Sequence, residues 1–197
     1  GLNQLVPCEM DGNGSWDLLA AHDQGISLTL TSTRPGESVW ATRTLKISDT
    51  AASGVSSWDH NNDGIPDVVS WGKQGVQIFP GSGNGQFSKA FSPSGVPAGN
   101  VSACAVGDLD QDGDQDLALV VGNAVHWCNN NGGNRNNWID VRLCAEADPK
   151  LQAQRTNLFG VGSLVEVRVG QQYQAQLVSG QVTHFGIGNK QQADVLR

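Results

Sequence analysis

Three stretches of this 197-residue chain align without gaps: Glu9–Ala20 (EMDGNGSWDLLA), Asp59–Ser70 (DHNNDGIPDVVS) and Asp108–Leu119 (DLDQDGDQDLAL). Their equivalent glycines, Gly14, Gly64 and Gly113, lie 50 and 49 residues apart (64 − 14 and 113 − 64). Self-similarity at a fixed period of this length means one supersecondary unit used repeatedly, each unit burying its apolar face only against the next. Every copy carries an oxygen-bearing residue at positions 1, 3 and 5, Gly at position 6, Asp at position 9, and then an apolar pair: Leu18-Leu19, Val68-Val69 and Leu117-Ala118.

Alternating oxygen donors on a short loop are what a hard divalent cation requires. Calcium takes six to eight oxygens at about 2.3–2.6 Å, several of them anionic. Gly at position 6 allows a sharp turn with positive φ, after which position 7 offers a carbonyl and position 9 closes the cage. The candidate ligands of the first loop are Glu9, Asp11, Asn13 and Asp17, with the Ser15 carbonyl. Those of the second are Asp59, Asn61, Asp63 and Asp67, with the Ile65 carbonyl, and those of the third Asp108, Asp110, Asp112 and Asp116, with the Asp114 carbonyl. About three calcium ions per chain are therefore expected. The third loop, richest in carboxylates, should bind tightest, while Glu9 departs from Asp at position 1 and makes the first the least regular. An EF-hand is excluded, because that loop needs a bidentate Glu at position 12 entering a helix. Here position 12 is Ala20, Ser70 and Leu119.

Charge distribution agrees. The net charge is −7, yet 11 of the 19 acidic residues lie inside the three nine-residue loops, which contain no Lys or Arg. The remaining 8 acids face 12 bases, and no basic stripe exists to meet a nucleic acid. No run of about 18 apolar residues is present, so membrane insertion is not expected. The first residue is Gly1 rather than Met, as in a processed product or a fragment.

High Gly content and period-2 patterning predict short strands throughout. The second repeat reads as strands over 52–58, 67–71, 75–80 and 86–91, about four per 50 residues. Trp16, Trp58 and Trp71 flank the loops as packing residues. The Asn-rich stretch from Asn129 to Asn137 reads as a linker or long loop. Beyond it, 164–169 and 173–178 read as a hairpin turning at Gly170-Gln171-Gln172. The cysteines Cys8, Cys104, Cys128 and Cys144 form no C-x-x-C pair. An extracellular compartment would permit two disulfides among them, with buried free thiols as the alternative.

The loops and the apolar residues after them resemble the FG-GAP/VCBS repeat, as in integrin α-subunit propellers. The segment NWIDVRL…NLFGVGSLVEVRVG…HFGIG resembles the ASPIC/UnbV module, which follows such repeats in cartilage acidic protein and its bacterial relatives. The resemblance implies an all-β fold of three β-propeller-type blades within 1–130 (about 1–48, 49–97 and 98–130), a linker at 131–137, and a small β-rich module over 138–197. It further implies a secreted or cell-surface calcium-binding protein for adhesion, recognition or structure. Three repeats are too few for a normal closed ring, so either further blades exist or open blade edges pair with further copies of the chain. An extracellular protein, a glycan or the chain itself is the expected partner, and a self-assembling fibre or surface-layer subunit or a carbohydrate-binding module is the alternative role. With no G-x-S-x-G or H-E-x-x-H and with His22, His60, His126 and His184 scattered, the chain is not expected to be an enzyme.

Overall fold

The computed structural model describes residues 1–32, 41–145 and 157–197. The protein is all-β, built from several antiparallel sheets of which none closes on itself. The first repeat forms a meander of β1 (Leu2–Cys8), β2 (Asp17–His22), β3 (Gly25–Ser32) and β4 (Ala41–Ser48), in that order across the sheet. The second forms β5 (Gly54–Trp58), β6 (Asp67–Gly72) and β7 (Gly75–Phe79), followed by a hairpin of β8 (Gly81–Gly83) and β9 (Gln86–Phe87). That hairpin turns at Asn84-Gly85, both with positive φ (54° and 67°), the geometry of a type I′ turn. The strand expected to run on to residue 91 stops at Phe87 and resumes only as a bridge between Phe91 and Ile78. The third repeat forms β10 (Val101–Gly107), β11 (Asp116–Val121) and β12 (Ala124–Cys128).

The three repeat sheets stack face against face, and two apolar cores lie between them. Leu19, Ile26 and Leu28 of the first sheet meet Val55, Val68 and Phe79 of the second. On the other side of the second sheet, Trp58, Val69, Trp71 and Ile78 meet Val101, Leu117 and Leu119 of the third. Flanked on both faces, β6 is buried at all six residues, which explains its unbroken apolar character in sequence. Trp58 and Trp71 sit in the second core. Gly54 has no Cβ because one would lie 2.2 Å from the Trp71 ring.

After a short 3₁₀ turn at Gly133–Arg135 come β13 (Asn137–Val141), β14 (Leu164–Val169), β15 (Gln172–Leu177), β16 (Thr183–Gly188) and β17 (Val195–Leu196). β13 pairs with β16, and β14 lies between β15 and β17. The hairpin expected at 164–178 forms, and its reverse is tighter by one residue because Gly170 takes a φ of 61°. A third core of Val165, Val167, Val169, Phe185 and Ile187 holds these strands together. The Asn-rich stretch expected as a linker is tied down at several points: the Asn130 side chain donates to the His60 carbonyl at 2.6 Å, and Asn136 to that of Asn61 at 2.8 Å.

The expected disulfides do not form, and all four cysteines are free thiols. Cys104 pairs in register with Leu119 and Cys128 with Leu117, on opposite sides of β11. Two strand spacings put their Cα atoms about 10 Å apart, beyond the roughly 7 Å that a disulfide can bridge. Cys8 is buried in the first core and Cys144 is exposed past β13. Burial pushes the Cys8 and Cys104 thiols up to about 12.

Candidate metal centre

Each loop joins the first strand of its sheet to the second, and all three share one backbone course. Position 6 has positive φ at Gly14 (80°), Gly64 (83°) and Gly113 (95°), as expected. Position 4 also takes the left-handed conformation, at Gly12 (78°), Asn62 (56°) and Gln111 (64°). Between these bends the side chains of the odd positions cap the amides that follow. Asn13 N–H donates to Glu9 and Asp11, Asp63 N–H to Asp59 and Asn61, and Asp112 N–H to Asp110. Position 7 repeats the pattern, with the N–H of Ser15, Ile65 and Asp114 donating to Asn13, Asp63 and Asp112. These are nested Asx turns in register.

The aspartate at position 9 does something the other positions do not. Asp17, Asp67 and Asp116 are each 0% exposed. One oxygen of each accepts the N–H at position 2 of its own loop: Met10 at 3.0 Å, His60 at 2.8 Å and Leu109 at 2.9 Å. The other accepts an N–H 14 residues further on, from Thr31 at 2.8 Å, Gly81 at 2.5 Å and Asn130 at 2.8 Å. Every clamp thus ties the start of a loop to the end of the third strand or the residues just after it.

The predicted ligands gather unequally. In loop 1 the carboxylates of Glu9, Asp11 and Asp17 present oxygens all within 4.8 Å of one another, and in loop 3 those of Asp108, Asp110 and Asp112 do the same. Glu9 is 5% exposed, and while its Oε1 accepts from Gly12 and Asn13, its Oε2 is buried without a hydrogen-bond partner. Asp108 Oδ1 is in the same condition. The Asn13 amide of loop 1 turns to Asp11 and to the Thr31 carbonyl. In loop 3, Asp116 is committed to its clamp, and the Asp114 carboxylate accepts from Gly133 N–H at 3.0 Å. Loop 2 brings together Asp59, Asn61, Asp63 and Asp67 differently. The Nδ1 of His60 lies 2.5 Å from Asp67 Oδ2, Asn61 donates to Asp63, and both Asp59 oxygens accept backbone N–H groups.

Electrostatics follow from this crowding. Burial pushes the Glu9 carboxyl up to about 7; backbone N–H donors resist the shift, and Asp11 and Asp17 add to it. Burial likewise raises Asp59 to about 7, reinforced by Asp63 and Asp67. Asp17, Asp63 and Asp110 move in the same direction, desolvation first in each case. Burial works to lower His60, but the bond to Asp67 and the charges of Asp67, Asp59 and Asp63 raise it overall.

Strands β13, β15 and β16 lie over the three loop tips, and the position 6 glycines are where they rest. A Cβ on Gly113 would stand 1.8 Å from the Trp138 ring, one on Gly14 would touch the Tyr173 ring at 3.7 Å, and one on Gly64 would meet Gln172 and Gly186 at 3.1 Å. Loop 2 is the most deeply covered. Gly186 of β16 passes so close that a Cβ there would fall 2.1 Å from Asp59 Oδ2. Gly188 N–H donates to the Asn62 carbonyl, and His184 bridges Asn62 and Asp140 through its two ring nitrogens at 2.8 and 2.9 Å. In the sequence His60 and His184 stand only as scattered histidines, and Asn62 is given no role. Asn62 alone carried a signal, since Asn is among the few residues that readily take positive φ.

Residues 59–119, which span loops 2 and 3, match a family model described as the FG-GAP-like repeat. No curated protein matches the chain. Among solved structures it is similar to an Agrocybe aegerita lectin described as specifically recognising non-reducing terminal N-acetylglucosamine, at 21% identity and a TM-score of 0.45. That similarity covers 66% of this chain and 40% of the lectin chain.

Two outcomes are expected of the metal-free protein. Asp116→Ala strands the Leu109 and Asn130 amides and should lower unfolding stability by about 3 kcal/mol. Asp112→Ala, at an exposed residue, should cost far less; urea denaturation in chelator compares the two. Glu9 and Asp59 hold protons in the folded state up to about 7 that the unfolded chain releases near the ordinary Glu and Asp values of 4.5 and 3.8. Their stabilising contribution is complete below that lower range and is lost as pH rises through 7. The melting temperature in chelator should therefore fall between pH 5 and pH 7.5, and a flat or rising profile would contradict this.

Proposed function

We propose that the chain is a calcium-binding, non-catalytic recognition module of propeller type, in which loops 1 and 3 hold the ions and the strands of 138–197 form an ASPIC/UnbV-like cap over them. One observation carries the metal reading: Glu9 Oε2 is buried and unpartnered inside a group of three carboxylates. An uncompensated buried carboxylate is strongly unfavourable, and a divalent cation offsets it directly. The donor set is oxygen throughout, which suits calcium over softer metals. Loop 3 supports the same reading with Asp108 Oδ1. In loop 2 His60 already sits against the carboxylate of Asp67, and the cap covers Asp59, so the three ions expected from sequence narrow to two. The balance of three ions would have moved net charge from −7 to −1; two move it to −3. Calcium at millimolar levels outside the cell fits a secreted or surface location.

A cavity of about 1120 Å³ supports recognition of a saccharide. It opens between the first strands of the three repeat sheets and the cap, and Trp16, Trp58, Gln111, Gln115 and Arg142 are among its lining residues. Flat indole faces and planar polar groups suit sugar rings and hydroxyls.

Calorimetric titration of chelator-stripped protein should give two tightly bound calcium ions per chain and a higher melting temperature, and Asp112→Ala should leave one. Absence of binding would overturn the metal reading, whereas three ions of equal affinity would overturn the assignment of loop 2. On a glycan array in calcium, binding should be seen and should be lost in Trp16→Ala; an array without signal would sink the saccharide reading and leave the metal reading standing.

A further inference from the structure

The third loop is short of a ligand. Its carboxylate group consists of Asp108, Asp110 and Asp112, whereas that of loop 1 includes the position 9 residue, Asp17. In loop 3 the position 9 residue, Asp116, commits one oxygen to the Leu109 amide and the other to the Asn130 amide, at 2.9 and 2.8 Å. With the Asp114 carbonyl expected at position 7, the loop itself supplies four oxygen-bearing groups. Calcium takes six to eight oxygens. Asp108 Oδ1 is nevertheless buried with no hydrogen-bond partner, so the loop has a need for a cation and an incomplete shell to hold one.

A further oxygen stands beside this group, on a residue outside the loop. The side-chain amide of Asn129 lies against Asp110, its Nδ2 donating to Oδ2 at 2.8 Å. Asn129 directly precedes Asn130, whose N–H is held by Asp116. The clamp that withdraws position 9 from the group is therefore also what brings Asn129 to it. Two oxygens that share a calcium at about 2.4 Å and subtend about 75° lie about 3 Å apart. That is the spacing between Asp110 Oδ2 and the end of the Asn129 amide. A half-turn about χ2 puts Oδ1 where Nδ2 now stands, and this torsion is broad and roughly twofold. The other sheets have no such side chain: 13 residues beyond the clamp aspartate, where Asn129 stands (129 − 116), come Leu30 (30 − 17) and Pro80 (80 − 67).

We infer that Asn129 is a calcium ligand of loop 3, contributed through Oδ1 from just beyond β12. In the metal-free protein the same amide is turned the other way and donates to Asp110. The inference rests on the metal reading of loop 3 and adds to it a residue that the repeat motif does not contain. An ion held in this way joins the loop before β11 to the chain after β12, and so spans the whole third sheet. Its shell differs from that of loop 1, where position 9 remains within reach of the ion and the residue equivalent to Asn129 is Leu30, buried in the first core.

Calorimetric calcium titration of the chelator-stripped full chain tests it, with melting temperatures in chelator measured alongside. The site concerned is the one that Asp112→Ala abolishes. Asn129→Ala should weaken it about tenfold and Asn129→Asp should tighten it about tenfold, since ligand charge raises calcium affinity. Asn131→Asp adds the same charge two residues on, at an exposed position, and should leave the affinity within about twofold of wild type. In chelator, Asn129→Asp should lower the melting temperature, because a second carboxylate then faces Asp110. If Asn129 served only as a donor that positions Asp110, Asn129→Asp and Asn129→Ala would both weaken the site, and that result overturns the proposal. Equal tightening by Asn131→Asp, or an affinity indifferent to Asn129→Ala, overturns it as well. In each of these cases calcium binding by wild type leaves the metal reading standing, whereas a wild type that binds no calcium overturns both.

Discussion

A single buried carboxylate per repeat organises this protein. Asp17, Asp67 and Asp116 each accept two backbone N–H groups that would otherwise be unpaired in the interior, one from the loop and one from beyond the third strand. Bonds to an ionised acceptor are roughly twice as strong as neutral ones, and their loss leaves buried donors stranded. The clamp fixes the loop against the far side of its own sheet. Only then do the odd-numbered side chains have a rigid frame from which to converge. The crowding of carboxylates in the loops is thus a consequence of ordering imposed by the clamp, and burial without a counter-ion pushes the carboxyls of Glu9 in loop 1 and Asp59 in loop 2 well above the usual carboxylate range.

The glycines of the loops have two jobs. At position 6 the positive φ reverses the chain, and the missing side chain gives the cap a place to sit. Trp138 rests on Gly113 at a distance no Cβ would permit. In the same way Gly186 lets β16 run across Asp59. The loops and the cap are consequently one construction, and the differences among loops 1, 2 and 3 arise mainly from what the cap and His60 do to the second.

Much of this was legible in the sequence, for reasons that differ by residue. Period and alternation located the first three strands of the second repeat to within a residue or two, because apolar spacing and turn glycines act locally. The position 6 glycines announced their own φ. Position 4 did so only in part, since Gly12 and Asn62 take positive φ readily whereas Gln111 has no chemical preference for the left-handed region and is held there by its neighbours. The partners of the clamp were invisible for a deeper reason. Thr31, Gly81 and Asn130 share no side-chain chemistry, because what each contributes is a backbone N–H. Docking of the cap could not be read either, as it joins residues far apart in the chain through shape. The disulfide expectation drew on compartment alone, while strand spacing across β11 keeps Cys104 and Cys128 apart.

The cap's attachments also bear on how the chain reaches this structure. The clamps close loops of only 14 residues, so each repeat sheet can form from neighbouring sequence at small entropic cost. The bond from His184 to Asn62 spans 122 residues, and that from Gln172 to the Asp63 carbonyl spans 109. Contacts of such separation form late, after local structure has reduced the search. During synthesis the repeats therefore emerge and order themselves first, and for that interval the acidic loops face solvent uncovered. The cap then arrives as the final step, and it can seat only on loops whose glycines already point the right way, so it acts as a built-in check on the folding of everything before it.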